Sequence, residues 1–218
     1  MSDVKKALME TGIVSICRKI YGEDLALLSD ALYAGGVRLM EVTYDQSDPD
    51  CISKTSQAIS LLQARHPDMF IGAGTVLTRE QVKATFDAGG KYVVSPDSNL
   101  EIIRYTKELG MCSMPGAMTP TEVLSAYNAG ADVVKLFPAA SLGVTYVKDI
   151  RSPISHVPLM ATGGINLENY ADFLNAGCCS AGIGSFLSDS KLIKAGDWDT
   201  LRDRAKAFLD IFREVTKV

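Results

Sequence analysis

Apolar and polar positions along this chain follow two alternating periods. Short β-branched runs at 12–17, 37–42, 69–73, 92–95, 111–114, 132–135, 158–161 and 179–183 each end in a small or polar cluster, as buried strands do. Between them, apolar residues recur at helical spacing near 23–34, 50–65, 79–88, 99–109, 120–129, 145–151, 167–176 and 198–215. Thr78 and Thr119 signal helix starts: Gln81 and Glu122 follow them at capping-box spacing, and Pro120 sits at a first helical position. Asn99 and Asn166 serve the same purpose. Helix ends repeat an alanine–glycine punctuation, at Ala34-Gly35-Gly36, Ala88-Gly89-Gly90, Asn128-Ala129-Gly130 and Asn175-Ala176-Gly177, where a left-handed residue is wanted. Eight strand–helix units in 218 residues predict an α/β protein whose parallel sheet closes into one (β/α)8 TIM barrel, a single domain over 1–218.

Composition narrows the possible roles. Hydrophobic content of 47% with 22% charged residues is globular, and a net charge of -4 without any basic stripe argues against nucleic acid as a partner. The first ten residues carry Asp3, Lys5, Lys6 and Glu10 and do not read as a signal peptide, and no apolar run is long enough to span a membrane. Five cysteines without a C-x-x-C pair suit free thiols in a reducing cytoplasm. Adjacent Cys178 and Cys179 read either as a redox pair or as small buried residues.

In a barrel of this kind the chemistry sits at the carboxyl ends of the strands. The sixth run, 132–135 within the stretch Ala131 to Pro138, ends in Lys135 with Leu136 and Phe137 after it, an ammonium among apolar neighbours. Desolvation lowers the pKa of such an amine and makes it a nucleophile suited to Schiff-base formation with a keto substrate. The plain alternative is a lysine that snorkels from the strand end into water. Glu41 closes the second run, opposite the sixth in an eight-stranded ring, and is the group expected to shuttle protons for Lys135. Burial raises a carboxylate's pKa and the ammonium lowers it, so the sequence leaves the net direction open.

Thr162-Gly163-Gly164 and Gly182-Ile183-Gly184-Ser185 follow the seventh and eighth runs, where barrels often hold an anion on backbone N–H groups. Phosphate, sulfate and carboxylate all satisfy that geometry. Arg18, after the first run, is either a bidentate carboxylate clamp or an exposed surface arginine, and the Thr75 hydroxyl can reach the same carboxylate. His66 and His156 lack a second ligand at metal-binding spacing, so no metal is expected.

Taken together, Glu41-Val42-Thr43, Gly72-Ala73-Gly74-Thr75-Val76, Val94-Ser95-Pro96, Met114-Pro115-Gly116, Lys135-Leu136-Phe137-Pro138 and Thr162-Gly163-Gly164-Ile165 resemble the 2-keto-3-deoxy-6-phosphogluconate / 4-hydroxy-2-oxoglutarate aldolases, in the family's order and over nearly the whole chain. The resemblance implies a class I aldolase, a carbon–carbon lyase with no cofactor beyond a covalent lysine imine, assembled as a homotrimer. It implies Lys135 as the Schiff-base lysine and Glu41 as the proton shuttle. Thr75 and Pro96 would line the pyruvate half, and Gly163, Gly164, Gly184 and Ser185 would receive a distal phosphate. The substrate would be a keto sugar acid cleaved to pyruvate and an aldehyde.

Two departures stand out. Tyr44-Asp45 occupies the place where some members carry an arginine for the pyruvate carboxylate, and Arg18, similar to a first-strand arginine of other members, is expected to take over. Asp97 follows Ser95-Pro96, and with Asp45, Asp48 and Asp50 it is expected to make one side of the mouth acidic and to disfavour dianionic substrates. The alternatives are a phosphate-binding isomerase or epimerase using Glu41 as a base, and a non-catalytic sugar-phosphate sensor on the same scaffold.

Overall fold

A computed structural model describes residues 2–217. Nine parallel strands with helices between them form a nearly closed barrel. The elements run α1 (Asp3–Thr11), β1 (Ile13–Cys17), α2 (Gly22–Ala34), β2 (Leu39–Thr43), α3 (Cys51–Arg65), β3 (Phe70–Gly74), α4 (Arg79–Asp87), β4 (Tyr92–Val94), α5 (Leu100–Glu108) and β5 (Cys112–Met114). They continue with β6 (Gly116–Ala117), α6 (Pro120–Asn128), β7 (Val134–Leu136), α7 (Ala139–Arg151), β8 (Leu159–Thr162), α8 (Tyr170–Asn175), β9 (Ser180–Ile183), α9 (Ser190–Ala195) and α10 (Trp198–Thr216). Sheet order is β5-β4-β3-β2-β1-β9-β8-β7-β6.

The ninth strand is a split fifth one. Pro115 has no N–H to donate, and the chain changes neighbours there: β5 pairs with β4, whereas β6 pairs with β7. The Pro115 carbonyl accepts from the Lys135 N–H at 2.8 Å and the Ser113 carbonyl from the Asp132 N–H at 2.9 Å, which draws the two ends of the sheet together. Gly116 is required at this seam, because a Cβ there would run into the Pro96 carbonyl.

Local signals act largely as the sequence indicates. Thr119 completes a capping box with Glu122, and Asn99 accepts from the N–H groups of Glu101 and Ile102. At Thr78 the box is only half made. Its hydroxyl accepts from the Gln81 N–H, but the Gln81 side chain reaches past it to the Leu77 N–H. Asn166 caps a turn ahead of α8, which is shorter than the periodicity predicts. α7 starts directly after Pro138 and kinks at Gly143, so its first half lacks helical periodicity. The sequence reading also passes over α1 and α9. In α1 only Val4 and Leu8 are buried, too sparse a stripe to register, and they pack against the barrel interior.

That interior is a separate apolar cluster: Val14, Leu39, Tyr92, Val94, Cys112, Met114, Val133 and Met160 fill the barrel and α1 covers its lower end. A larger cluster lies between the sheet and the outer helices. Among the described residues, no helix is long and apolar enough to cross a membrane.

Candidate active site

Side chains alternate across a strand, so residues two apart share a face. Leu39, Val133 and Met160 point into the barrel, whereas Met40, Val42, Val134, Leu136, Leu159 and Ala161 pack outward against helices. Glu41, Lys135 and Thr162 therefore stand one pleat above interior apolar residues, at the carboxyl end. Register agrees: Glu41 faces Ile16 and Gly72, and Lys135 faces Gly116 and Met160.

These residues line a cavity of about 490 Å³, together with Arg18, Thr75, Pro96, Gly163, Gly164, Gly184 and Ser185. All ten residues singled out from the sequence thus converge on one site. Lys19, Phe137 and Ser188 line it as well and were not singled out. Lys19 enters through a left-handed backbone (φ 58°) that no local motif announces, and Ser188 is held by bonds to the Ile16 and Gly184 carbonyls. Arg18 lines the cavity and is exposed to solvent.

Lys135 is 8% exposed and Glu41 2%. Burial lowers the Lys135 pKa from its ordinary value; the Glu41 carboxylate opposes that and Arg18 adds to it. Burial pushes Glu41 up to about 7, against the pull of the Lys135 and Arg18 cations. Desolvation therefore decides the direction left open by the sequence, and it moves both groups toward their neutral forms. No carboxylate among the described residues lies within 4.0 Å of the Lys135 ammonium, whose nitrogen sits 4.9 Å from the Phe137 ring centroid. The Glu41 carboxyl instead lies across Gly74, so closely that a Cβ there would displace it. An amine without a direct carboxylate partner and a carboxyl titrating near neutrality, both facing one cavity, are the parts that proton-coupled addition to a carbonyl requires.

The opposite wall is backbone. Gly163 and Gly164 have φ of 95° and 75°, a conformation that opens the chain after β8 toward the cavity. A Cβ on Gly164 would meet Ala140.

One expectation fails. Asp45, Asp48, Asp50 and Asp97 do not line the cavity, and the mouth is not an acidic wall. Lys19 sits 2.9 Å from Asp45 and, with Ser47, holds its pKa down to about 2, while Asp48 pairs with Lys54 at 2.5 Å. With Asp45 and Asp48 paired to lysines and none of the four lining the cavity, these carboxylates do not face an anionic substrate as a block. The described residues also contain no group of three or more His, Cys, Asp or Glu side chains placed to hold a metal ion.

The arrangement has counterparts among known proteins. A 2-dehydro-3-deoxy-phosphogluconate aldolase of Haemophilus influenzae is 34% identical over 207 residues, covering 94% of this chain and 95% of its own. A probable 2-dehydro-3-deoxy-6-phosphogalactonate aldolase of Rhizobium meliloti is 36% identical, covering 95% and 94%. The solved KDPG aldolase of Legionella pneumophila, with pyruvate captured as a covalent carbinolamine intermediate, superposes with a TM-score of 0.84 at 28% identity, covering 95% of this chain and 98% of that one. The model of the KDPG and KHG aldolase family matches residues 4–203. With the barrel, the strand-end lysine and glutamate, and these relatives in agreement, the chain belongs to the KDPG and KHG aldolase family.

Proposed function

We propose that this aldolase cleaves a 2-keto-3-deoxy sugar acid through an imine on Lys135, with Glu41 moving the protons. The observation that carries the reading is the buried Lys135 amine, with no carboxylate among the described residues within 4.0 Å, facing the cavity shared with Glu41 and Arg18. The neutral amine adds to the C2 carbonyl, and Glu41 supplies the proton on which the carbinolamine loses water. The resulting protonated imine draws in the electrons of the C3–C4 bond as the C4 hydroxyl gives its proton to Glu41 and leaves as an aldehyde. The enamine that remains takes a proton at C3, and water releases pyruvate and the Lys135 amine. No metal or organic cofactor enters these steps.

In this reading Arg18 and Thr75 hold the substrate carboxylate, Pro96 borders the pyruvate half, and Thr162 faces the middle of the chain. Gly163, Gly164, Gly184 and Ser185 receive the distal phosphate. The substrate is 2-keto-3-deoxy-6-phosphogluconate or a close relative, the 6-phosphogalactonate epimer or 4-hydroxy-2-oxoglutarate. Family membership favours the lyase over the isomerase and the sensor. The expected assembly is a homotrimer, for which exposed Leu61, Leu77 and Phe86 offer apolar surface, and sedimentation measures it. Five free cysteines suit a cytoplasmic setting.

The test is steady-state cleavage of all three acids by the wild type and Lys135→Ala. Activity on at least one acid, lost to background in the variant while the fold persists, is the expected result. Retention of cleavage by Lys135→Ala overturns the mechanism.

A further inference from the structure

Thr75 is the residue of the site whose backbone least suits its side chain. It has φ 56°, a left-handed conformation that β-branched residues avoid. Such strain persists only where surrounding contacts impose it. Here two glutamine amides form a relay that starts and ends on the same loop. The Leu77 N–H donates to Gln81 Oε1 at 2.7 Å, Gln81 Nε2 donates to Gln46 Oε1 at 3.0 Å, and Gln46 Nε2 donates to the Thr75 carbonyl at 2.8 Å. A backbone donor at one end and a backbone acceptor at the other fix both amide orientations, since each amide has one accepting and one donating face.

The relay is anchored. Gln81 is 4% exposed, and its backbone carbonyl accepts from the Tyr44 hydroxyl at 3.0 Å and the Thr85 hydroxyl at 2.8 Å. It is available because the capping box of α4 is half made: a Gln81 side chain turned back to the Thr78 N–H would not meet Leu77. Gln46 lies outside the cavity, so its reach to the substrate runs through Thr75.

We propose that Gln46 and Gln81 are positioning residues for the keto-acid half of the substrate: their relay holds Thr75 in the left-handed turn that presents it to the cavity. The proposal rests on the reading that Thr75 contacts that half.

Gln81 is buried and its replacement can unfold the protein, so the test uses exposed Gln46. Gln46→Glu keeps the shape and the acceptor toward Gln81 but sets an oxygen against the Thr75 carbonyl. The readouts are KM and kcat for cleavage, the inhibition constant of product pyruvate, and Tm. Gln46→Glu is expected to raise KM and the pyruvate constant about three- to tenfold, with kcat and Tm little changed. In a Thr75→Gly background the same substitution is expected to have no such effect, because glycine takes this φ unaided. An unchanged KM, or an equal loss in the glycine background, overturns the proposal. Thr75→Val retains the branched shape and removes the hydroxyl. If it leaves the pyruvate constant unchanged, the reading of Thr75 as a substrate contact fails, and the proposal with it. If it weakens pyruvate while Gln46→Glu does not, only the relay is refuted.

Discussion

The two ends of the barrel are built from the same strands, one pleat apart, and they are opposites. At the lower end Leu39, Val133 and Met160 meet Val4 and Leu8 of α1 in one apolar cluster, which also holds Tyr92. Directly above them stand Glu41, Lys135 and Thr162. The cluster excludes water from beneath the ionisable pair, while the cavity admits it from above. That one-sided burial is what shifts Glu41 and Lys135 toward neutrality. In this fold the stabilising end and the reactive end are alternate residues of single strands, so the chemistry depends on packing about two residues, roughly 7 Å, away.

Substitutions that separate the ends sharpen this comparison. The largest effect is expected from Glu41→Gln, which keeps the shape and removes the proposed proton carrier: cleavage should slow by about 10²–10⁴-fold, measured as kcat at saturating substrate. Leu8→Ala acts on the other end. It should cost about 2–5 kcal/mol of stability in denaturant titrations while leaving KM unchanged; a KM change would mean that the cluster shapes the cavity as well.

The pH dependence of stability links the two. The Glu41 pKa rises from 4.5 in the unfolded chain to about 7 in the folded one. Between those values the unfolded chain releases a proton that the folded chain keeps, so stability falls as pH rises, and the loss is complete above about 7. Glu41→Gln lacks this penalty. Relative to wild type it should gain roughly 3 kcal/mol at pH 8 and nothing at pH 4, read from chemical denaturation at both. The smallest effect is expected from Gly74→Ala, whose new Cβ pushes the Glu41 carboxyl aside. Misplacement on the ångström scale should cost about a hundredfold in kcat, and the contact of the new Cβ with the buried Thr43 methyl should lower stability as well.

Glu41 and Lys135 were legible in the sequence because each interrupts an apolar run at the end of a strand, where one-dimensional pattern and three-dimensional position coincide. Barrel closure was legible from the count of units. The split at Pro115 was not, since a change of pairing partner leaves no periodic trace. α1 escaped notice because two buried residues have meaning only against the barrel floor they cover. Gln81 looked like half of a capping box, and its turn toward Leu77 and Gln46 depends on a loop far away in sequence. The acidic mouth was misjudged for a related reason: Asp45 and Asp48 were counted as charges, while their partners Lys19 and Lys54 are set by loop geometry.

The central claim is that Lys135 is the amine that bonds to the keto acid. Incubating the protein with pyruvate and borohydride, then mapping peptides by mass spectrometry, tests it directly. A reduced pyruvyl adduct on Lys135, absent from Lys135→Ala, is the predicted result. An adduct on another lysine, or none where a control aldolase labels, would contradict it.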